Sequence, residues 1–534
     1  MIEITGTAPE VLTEAARRFG AKTAVLCERR EQTASFAELN QLADLVAAAL
    51  RAHGVGGGDR VGVMFRNDLE FPVSWLGILR AGATMVPLNV RLTAHDLTSQ
   101  LRATRPALVL AADEFVDVLR GAVDHHTQVR LFDTGSRGIE ALREQLTALA
   151  EGASPDTTGS APRPESLANI QFTSGSTGLS KGCLLSHRYW VTLGEAMRWH
   201  GPKLRHDDVL LTAQPFYYMD PQWNLVAALL TGAKLVVLER FRSSTFWSSV
   251  QRHQATFFYC LGVMPSMLLS TPPTGDENIS AVRYIACSAI PEGRHAELEE
   301  RFGAPWYETY GSTETGADIL VEEEDHDAAL ATGALGRPLP HREIRIVGED
   351  GSVLPRGTVG RLLVRGTGMS DGYLDERHTA SSTVGNGWYV TGDLAMWAPD
   401  GMVHFAGREK DIIRRAGENV SAAQVEQAVE SHPGVRLCAC VPVADEIRGE
   451  EIKAYVVVAH KGELSLDDLL RHTRERLASF KVPRYWEFRT SLPHTPSEKI
   501  AKGELRREPS HELGRCYDAV REIWLDAVPA LPMP

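Results

Sequence analysis

The sequence predicts an α/β protein. Its large N-terminal part should hold two parallel, helix-covered sheets and a distorted antiparallel β unit, with a small α+β domain at the C-terminus. Three observations lead there. From Arg60 to Ala286, short apolar β-like runs alternate with helix-like segments, the rhythm of parallel strands covered by helices. From about Glu343, strand-like runs lie close together with Gly/Pro/Asp turns between them, as antiparallel strands do. Past Gly407, helical and strand patterns return in a shorter arrangement of their own. A chain of 534 residues also exceeds what one hydrophobic core usually organises.

Taken in order, Arg60-Val-Gly-Val-Met-Phe is a short β run after Gly54 to Gly58. Leu69 to Ala81 is helix-like, and Ala83 to Leu88 is apolar again. The rhythm recurs at Leu108-Val-Leu-Ala, Lys234 to Leu238, Ala255 to Leu261 and Arg283 to Ala286. Residues 151 to 168, rich in Pro, Ser, Gly and Thr, read as a surface loop. Ile344-Arg-Ile-Val, Gly360-Arg-Leu-Leu-Val and Met402-Val-His-Phe-Ala form the antiparallel unit, with turns at Glu349-Asp-Gly and Pro399-Asp-Gly. Ser421 reads as the N-cap of a helix to Ser431, because its hydroxyl can accept from an otherwise unpaired backbone N–H. Leu437 to Val443 is a strand with Ile452 to Ala459 as its partner, and Leu466 to Ala478 is a further helix.

Net charge is −13, which argues against a general nucleic-acid or anionic-membrane surface. Any anion must therefore be held by a local site. No stretch approaches the roughly 18 apolar residues of a spanning helix, so no integral membrane segment is expected. The start, Met-Ile-Glu-Ile-Thr-Gly, lacks the basic end and apolar run of a signal peptide. Seven cysteines are scattered without a Cys-x-x-Cys pair, and Cys438 and Cys440 alternate along a strand-like run, which reads as buried packing. The chain is expected to be cytoplasmic, reduced and not zinc-dependent.

Thr173 to Gly182 reads Thr-Ser-Gly-Ser-Thr-Gly-Leu-Ser-Lys-Gly, between an apolar segment and a helix-like one. It holds five hydroxyl side chains, three glycines and one lysine. Glycines let backbone N–H groups turn inward, hydroxyls add donors and Lys181 adds charge, a combination suited to a polyphosphate. The Walker pattern does not fit, because Gly178 and Lys181 are separated by Leu-Ser. The spacing of Gly175 and Gly178 also excludes the dinucleotide pattern. Thr173, Ser174, Gly175, Ser176, Thr177, Gly178 and Lys181 are thus candidate phosphate contacts.

Four further motifs follow: Tyr307-Glu-Thr-Tyr-Gly-Ser-Thr-Glu314, Trp388-Tyr-Val-Thr-Gly-Asp393, Gly407-Arg-Glu-Lys-Asp411 and Leu492-Pro-His-Thr-Pro-Ser-Glu-Lys499. Glu314 lies among hydroxyls with no neighbouring base and could hold a hard cation. Tyr310 offers a flat face for a base. Asp393 follows a Thr-Gly turn and could accept both hydroxyls of a ribose. In this order, and over roughly residues 8 to 507, the motifs resemble the ANL superfamily of adenylate-forming enzymes. That group includes acyl-CoA synthetases, peptide-synthetase adenylation domains and luciferases. Phe216 through Tyr259 is similar to carnitine/crotonobetaine-CoA ligase-like and other acyl-CoA ligases.

The resemblance implies ATP and Mg²⁺ as cofactors and coenzyme A as co-substrate. It implies that Glu314 and Thr177 hold the metal, that Arg408 joins Asp393 at the ribose, and that Ala289, Glu308, Thr309, Gly311 and Thr313 complete the ATP site. Lys499 becomes the catalytic lysine that bridges a carboxylate and the α-phosphate. Lys410 becomes a hinge between an adenylating part, 1–409, and a mobile lid, 411–534. Gly417 is implied to line the passage of the pantetheine arm. Two positions depart from the family pattern. Glu498 replaces the usual Gly before the lysine, and Tyr218 in Pro215-Phe-Tyr-Tyr replaces a histidine at the gate between acyl pocket and thiol tunnel.

The acyl pocket should draw on Tyr217 to Trp223, Val263-Met-Pro-Ser and Cys287-Ser-Ala-Ile, with Tyr217, Tyr218, Trp223, Val263 and Ser288 as its named walls. Met219 and Met264 can adapt to irregular shapes, while Asp220 and Asn224 add polarity. No acid stands in Ala286-Cys-Ser-Ala to receive an amino group. The expected substrate is a largely apolar small-molecule carboxylic acid, fatty, aryl or alicyclic. No appended carrier segment with Gly-Gly-x-Ser is visible, which favours free coenzyme A as acceptor. The alternatives are delivery to a separate carrier protein and, less favoured, a non-catalytic ATP-binding sensor. The resemblance also allows a homodimer.

Overall fold

Parallel strands form the centres of the two N-terminal sheets, because apolar runs joined by helices can bury both faces of a sheet. The computed structural model describes residues 6–123, 128–132, 139–151, 161–173, 181–261, 264–273, 275, 279–291, 293–415, 418–445, 448–459, 464–495, 499–508 and 516–525. Six strands of the first sheet run parallel in the spatial order Trp306–Ser312, Tyr284–Ser288, Phe257–Leu261, Val209–Thr212, Lys234–Val237 and Thr23–Cys27. Antiparallel strands close its two edges, Gly316–Leu320 and Arg337–Pro338 on one side and Gln32–Ser35 on the other. The second sheet runs Gln128–Phe132, Leu108–Ala112, Arg60–Met64, Thr84–Pro87, Leu167–Thr173 and Lys181–Ser186, parallel except for its last pair.

Helices lie between and over these sheets. Helix His187–Trp199 buries Tyr189 and Trp190 completely, and Trp190 meets the edge of Trp75 at 5.2 Å. It packs closely on helix Met219–Thr231 because position 194 is glycine: a Cβ there would lie 2.7 Å from Leu230 Cδ1. That contact seats Met219–Thr231 beside the strand ends where the site lies. Among the described residues no helix is long and apolar enough to cross a membrane.

The third sheet is antiparallel: Arg342–Val347, Gly360–Gly366, Thr383–Val384, Trp388–Trp397 and Val403–Arg408. The fourth begins at Ile412 and is antiparallel except where Gly449–Val458 meets Tyr485–Arg489. Helix Ala422–Glu430 starts on the Ser421 hydroxyl, which accepts from the Gln424 N–H, as its sequence position predicts. Cys438 and Cys440 are fully packed, with sulfurs 3.9 Å apart. The predicted fold class is therefore the one found.

One local expectation is corrected. The segment after the Thr173–Gly182 loop is not directly a helix. Lys181–Ser186 is a strand that pairs antiparallel with Leu167–Thr173, with Thr173 opposite Lys181, and the helix starts only at His187. Two apolar runs separated by a short Gly/Ser-rich segment satisfy their backbone groups by pairing with each other, so the loop joins two antiparallel neighbours.

Candidate active site

Three parallel strands, Phe257–Leu261, Tyr284–Ser288 and Trp306–Ser312, end side by side, and open α/β sheets bind ligands at such carboxyl ends. Hydroxyls tie these ends together. Tyr259 and Ser288 share a 2.7 Å hydrogen bond, and the Ser288 hydroxyl donates to the Thr309 carbonyl at 2.7 Å. Thr309 in turn donates to the Cys287 carbonyl at 3.3 Å. The Glu308 carboxylate accepts from the backbone N–H groups of Ala289 and Ile290 at 2.7 and 2.8 Å. Burial pushes the Glu308 carboxyl up to about 8, against the pull of those two amides. Glu308 thus braces the turn after Ser288 from behind.

That turn carries strain. Ala289 has φ = 72°, a left-handed conformation that costs a residue with a Cβ about 1–2 kcal/mol. Ala289→Gly is expected to raise stability by roughly 1 kcal/mol, less the entropy glycine adds to the unfolded chain. Denaturant titration checks this, and a fall in stability would show that the Ala289 methyl makes contacts worth more than the strain.

Tyr310 and Gly311 follow on the same strand. A Cβ at position 311 would lie 1.9 Å from the Gly316 carbonyl oxygen, so only glycine permits this hairpin. The Tyr310 hydroxyl donates to Asp393 Oδ2 at 2.6 Å. Asp393 comes from the third sheet, directly opposite Arg408, whose Nε lies 3.0 Å from Oδ1. That approach is poorly aligned, and buried Oδ1 accepts no hydrogen bond, which leaves it an acceptor for a ligand hydroxyl. Tyr310, Asp393 and Arg408 thus form one unit.

Glu314 Oε1 accepts from the Tyr373 hydroxyl at 2.7 Å, and Tyr373 lies 3.2 Å from the Tyr389 hydroxyl. Lys181 Nζ stands 5.5 Å from the centre of the Tyr373 ring, so the hairpin lysine and Glu314 flank one tyrosine. Thr313 lies next to Glu314 on the strand turn, with its carbonyl toward Cys183 Sγ at 4.0 Å. Tyr373 and Tyr389 are additions that sequence reading missed. Tyr373 follows Asp-Gly in an ordinary-looking turn, and nothing local signals a partner 59 residues away.

At the start of helix Met219–Thr231, Tyr217 and Tyr218 pack edge to face at 4.8 Å, and Trp223 meets Tyr259 at 5.9 Å. Asn89 donates to the Tyr218 hydroxyl at 3.4 Å, a partner with no sequence signal. Asp220 lies within hydrogen-bonding reach of the Trp223 indole, and burial pushes its carboxyl up to about 6. Lys499 reaches the same space from the C-terminal part, where the Thr495 N–H donates to the Lys499 carbonyl at 2.7 Å and closes its turn. Its side chain is open to water in the cleft yet ringed by protein. Burial and then the nearby Arg408 lower its ammonium, whereas Asp220, Asp393 and Glu314 hold it up. The structure therefore gathers Lys499, Asp220, Asp393, Glu314 and Arg408 around one cleft. Ser174, Gly175, Ser176, Thr177, Gly178, Val263 and Gly417, and the side chain of Lys410, lie outside the described residues.

Comparison with known proteins matches this geometry. The chain fits the model of the AMP-binding enzyme family over residues 12–374 and that of the AMP-binding enzyme C-terminal domain over 424–499. It is 30% identical over 507 residues to the crotonobetaine/carnitine–CoA ligase of Escherichia coli O8 (strain IAI1), covering 91% of this chain and 96% of that one. It superposes on ATP-bound MatB from Rhodopseudomonas palustris with a TM-score of 0.83 at 27% identity, over 94% of this chain and 98% of that one. For the o-succinylbenzoate CoA synthetase of Bacillus subtilis with its acyl-adenylate, the TM-score is 0.80 at 25% identity, with 94% and 98% covered. Family models spanning both parts of the chain, relatives over nearly its full length and the same cleft-forming fold agree: the chain belongs to the AMP-binding enzyme family and is an AMP-forming acid–thiol ligase.

Proposed function

We propose that the protein is an acyl-CoA synthetase that activates a carboxylic acid of largely apolar carbon skeleton with ATP, then transfers the acyl group to the thiol of coenzyme A. The observation that carries this reading is Lys499, brought by the C-terminal part to face Asp220, Asp393 and Glu314 across one cleft. Adenosine stacks on Tyr310 beside Gly311, and its ribose hydroxyls meet Asp393, with Arg408 adding a donor. The Thr173–Gly182 loop grips the β- and γ-phosphates. The substrate carboxylate then attacks the α-phosphorus, the bond to the bridging oxygen breaks and pyrophosphate leaves. Negative charge gathers on the carboxylate and phosphate oxygens, where the Lys499 ammonium stabilises it without reorganising solvent.

Glu314 offers only oxygen to the cleft, with hydroxyls as neighbours, a donor set that suits a small hard cation. Glu314 and Thr177 would hold magnesium, which when bound neutralises charge on the phosphates. Glu308 acts as a positioning residue, fixing the Ala289 turn against the acid. In the second half-reaction the CoA thiolate attacks the acyl carbonyl and AMP departs as the leaving group. Rotation at Lys410 of 411–534 against 1–409 removes Lys499 and brings Gly417 to the thiol path. The crotonobetaine/carnitine–CoA ligase and o-succinylbenzoate CoA synthetase relatives support coenzyme A as acceptor.

The test is acid- and CoA-dependent release of AMP, with the thioester identified by mass spectrometry. Equal amounts of AMP and acyl-CoA are expected. Acyl-adenylate formation with no thioester from free CoA would overturn the acceptor assignment in favour of a carrier protein.

A further inference from the structure

Lys499 is followed by a set of charges that the two half-reactions do not use. The Ala501 N–H donates to the Pro493 carbonyl at 2.8 Å, and the Thr495 N–H to the Lys499 carbonyl at 2.7 Å, so the backbone around Lys499 folds on itself. A short helix, Lys502–Arg507, comes next. Leu492 and Leu505 hold this unit to the sheet through one apolar cluster. Lys502 Nζ donates to Glu426 Oε2 at 2.7 Å and lies 3.8 Å from Asp411 Oδ2. Arg506 pairs with the other oxygen of Asp411, Oδ1. Glu426 belongs to helix Ala422–Glu430 and also accepts from the Cys440 N–H. With side chains 13–27% exposed, these pairs are screened less than surface ones. Burial lowers the Lys502 ammonium, but Glu426 and Asp411 outweigh it and raise it, so the charge stays.

Asp411 stands directly after Lys410, the proposed pivot. Directly before it, Glu409 meets Arg361 of the third sheet at 3.4 Å, with side chains 50% and 33% exposed. An exposed pair of that kind contributes little. The chain is therefore gripped firmly after the pivot and loosely before it. Apolar contacts are non-directional, whereas two cations on the two oxygens of one carboxylate also fix orientation. We propose that Lys502 is a positioning residue: with Arg506 it clamps Asp411, so that Lys499 and the chain leaving the pivot turn as one piece. Lys499 then reaches the cleft at one defined place for the first half-reaction and leaves it whole for the second. This rests on the proposed rotation of 411–534 about Lys410 and names what couples that rotation to the catalytic lysine.

Lys502→Met and Asp411→Asn test it, with each half-reaction measured separately. In both variants kcat of carboxylate-dependent pyrophosphate exchange should fall about 10–100-fold, the cost of an ammonium misplaced by about 1 Å. KM for ATP should stay within about 2-fold, since the residues assigned to the nucleotide are untouched. Thioester formation from a supplied acyl-adenylate should also stay within about 2-fold, because Lys499 is by then withdrawn. Lys502→Arg, which keeps a cation for both carboxylates, should restore most of the exchange. Asp411→Asn keeps the side-chain shape and stands as a test even if Lys502→Met does not fold. Exchange unmoved by Asp411→Asn, equal loss in both half-reactions of a folded variant, or Lys502→Arg no better than Lys502→Met would overturn the proposal. Equal loss of both half-reactions in Lys499→Ala would instead remove the rotation on which it rests, and the proposal with it.

Discussion

Lys499→Ala is expected to lower carboxylate-dependent ATP–pyrophosphate exchange by about 10²–10³-fold, the usual cost of one charge-stabilising donor. The same variant should still convert a supplied acyl-adenylate and coenzyme A to thioester at close to the wild-type rate. The asymmetry follows from the chemistry. The first half-reaction accumulates charge beside the ammonium, whereas the second proceeds, in this account, with Lys499 carried away. Single-turnover measurement of each half-reaction checks it. Equal loss in both, from a folded variant, would mean that Lys499 stays in place and that the C-terminal part does not rotate.

The largest effect on stability should come from Arg342→Met. Arg342 and Asp318 form an ion pair at 2.7 Å with side chains 1% and 0% exposed. Arg342 also donates to the carbonyls of Thr315 and Thr367, while Asp318 accepts from the Thr315 hydroxyl. Removing the guanidinium leaves a buried carboxylate without its counter-charge and takes a donor from each of the two carbonyls, at a cost of about 3–5 kcal/mol. Thr315 follows Glu314 directly, so the same change should loosen the Glu314 turn. A drop in the denaturant midpoint together with weaker ATP binding is expected. If Arg342→Met were neutral while Arg342→Met with Asp318→Leu was destabilised, the pair would not be what holds the turn.

Much of this site was legible because its motifs are local. Tyr310, Gly311 and Glu314 sit on one strand and its turn, and Asp393 and Arg408 are recognisable in their own segments, so reading each segment found them. What could not be read was which side chains meet. Tyr373 reaches Glu314, and Asp220 faces Lys499, only because separate sheets and the C-terminal part converge on the strand ends. Asp220 read as a polar touch in an apolar pocket, since its enclosure depends on Tyr259 and Trp223 packing around it. Lys181–Ser186 escaped as a strand because its short apolar run fits either period. Only pairing with Leu167–Thr173 decides it. The sheets themselves were read well, since buried parallel strands announce themselves as unbroken apolar runs.

The central claim is that the cleft joins a carboxylate to the α-phosphate of ATP. Carboxylate-dependent exchange of labelled pyrophosphate into ATP, across a panel of neutral and zwitterionic acids, tests it most directly. Exchange that requires both an acid and magnesium, and that falls with Lys499→Ala, is the predicted result. No exchange with any acid, from a folded protein that binds ATP, would contradict it.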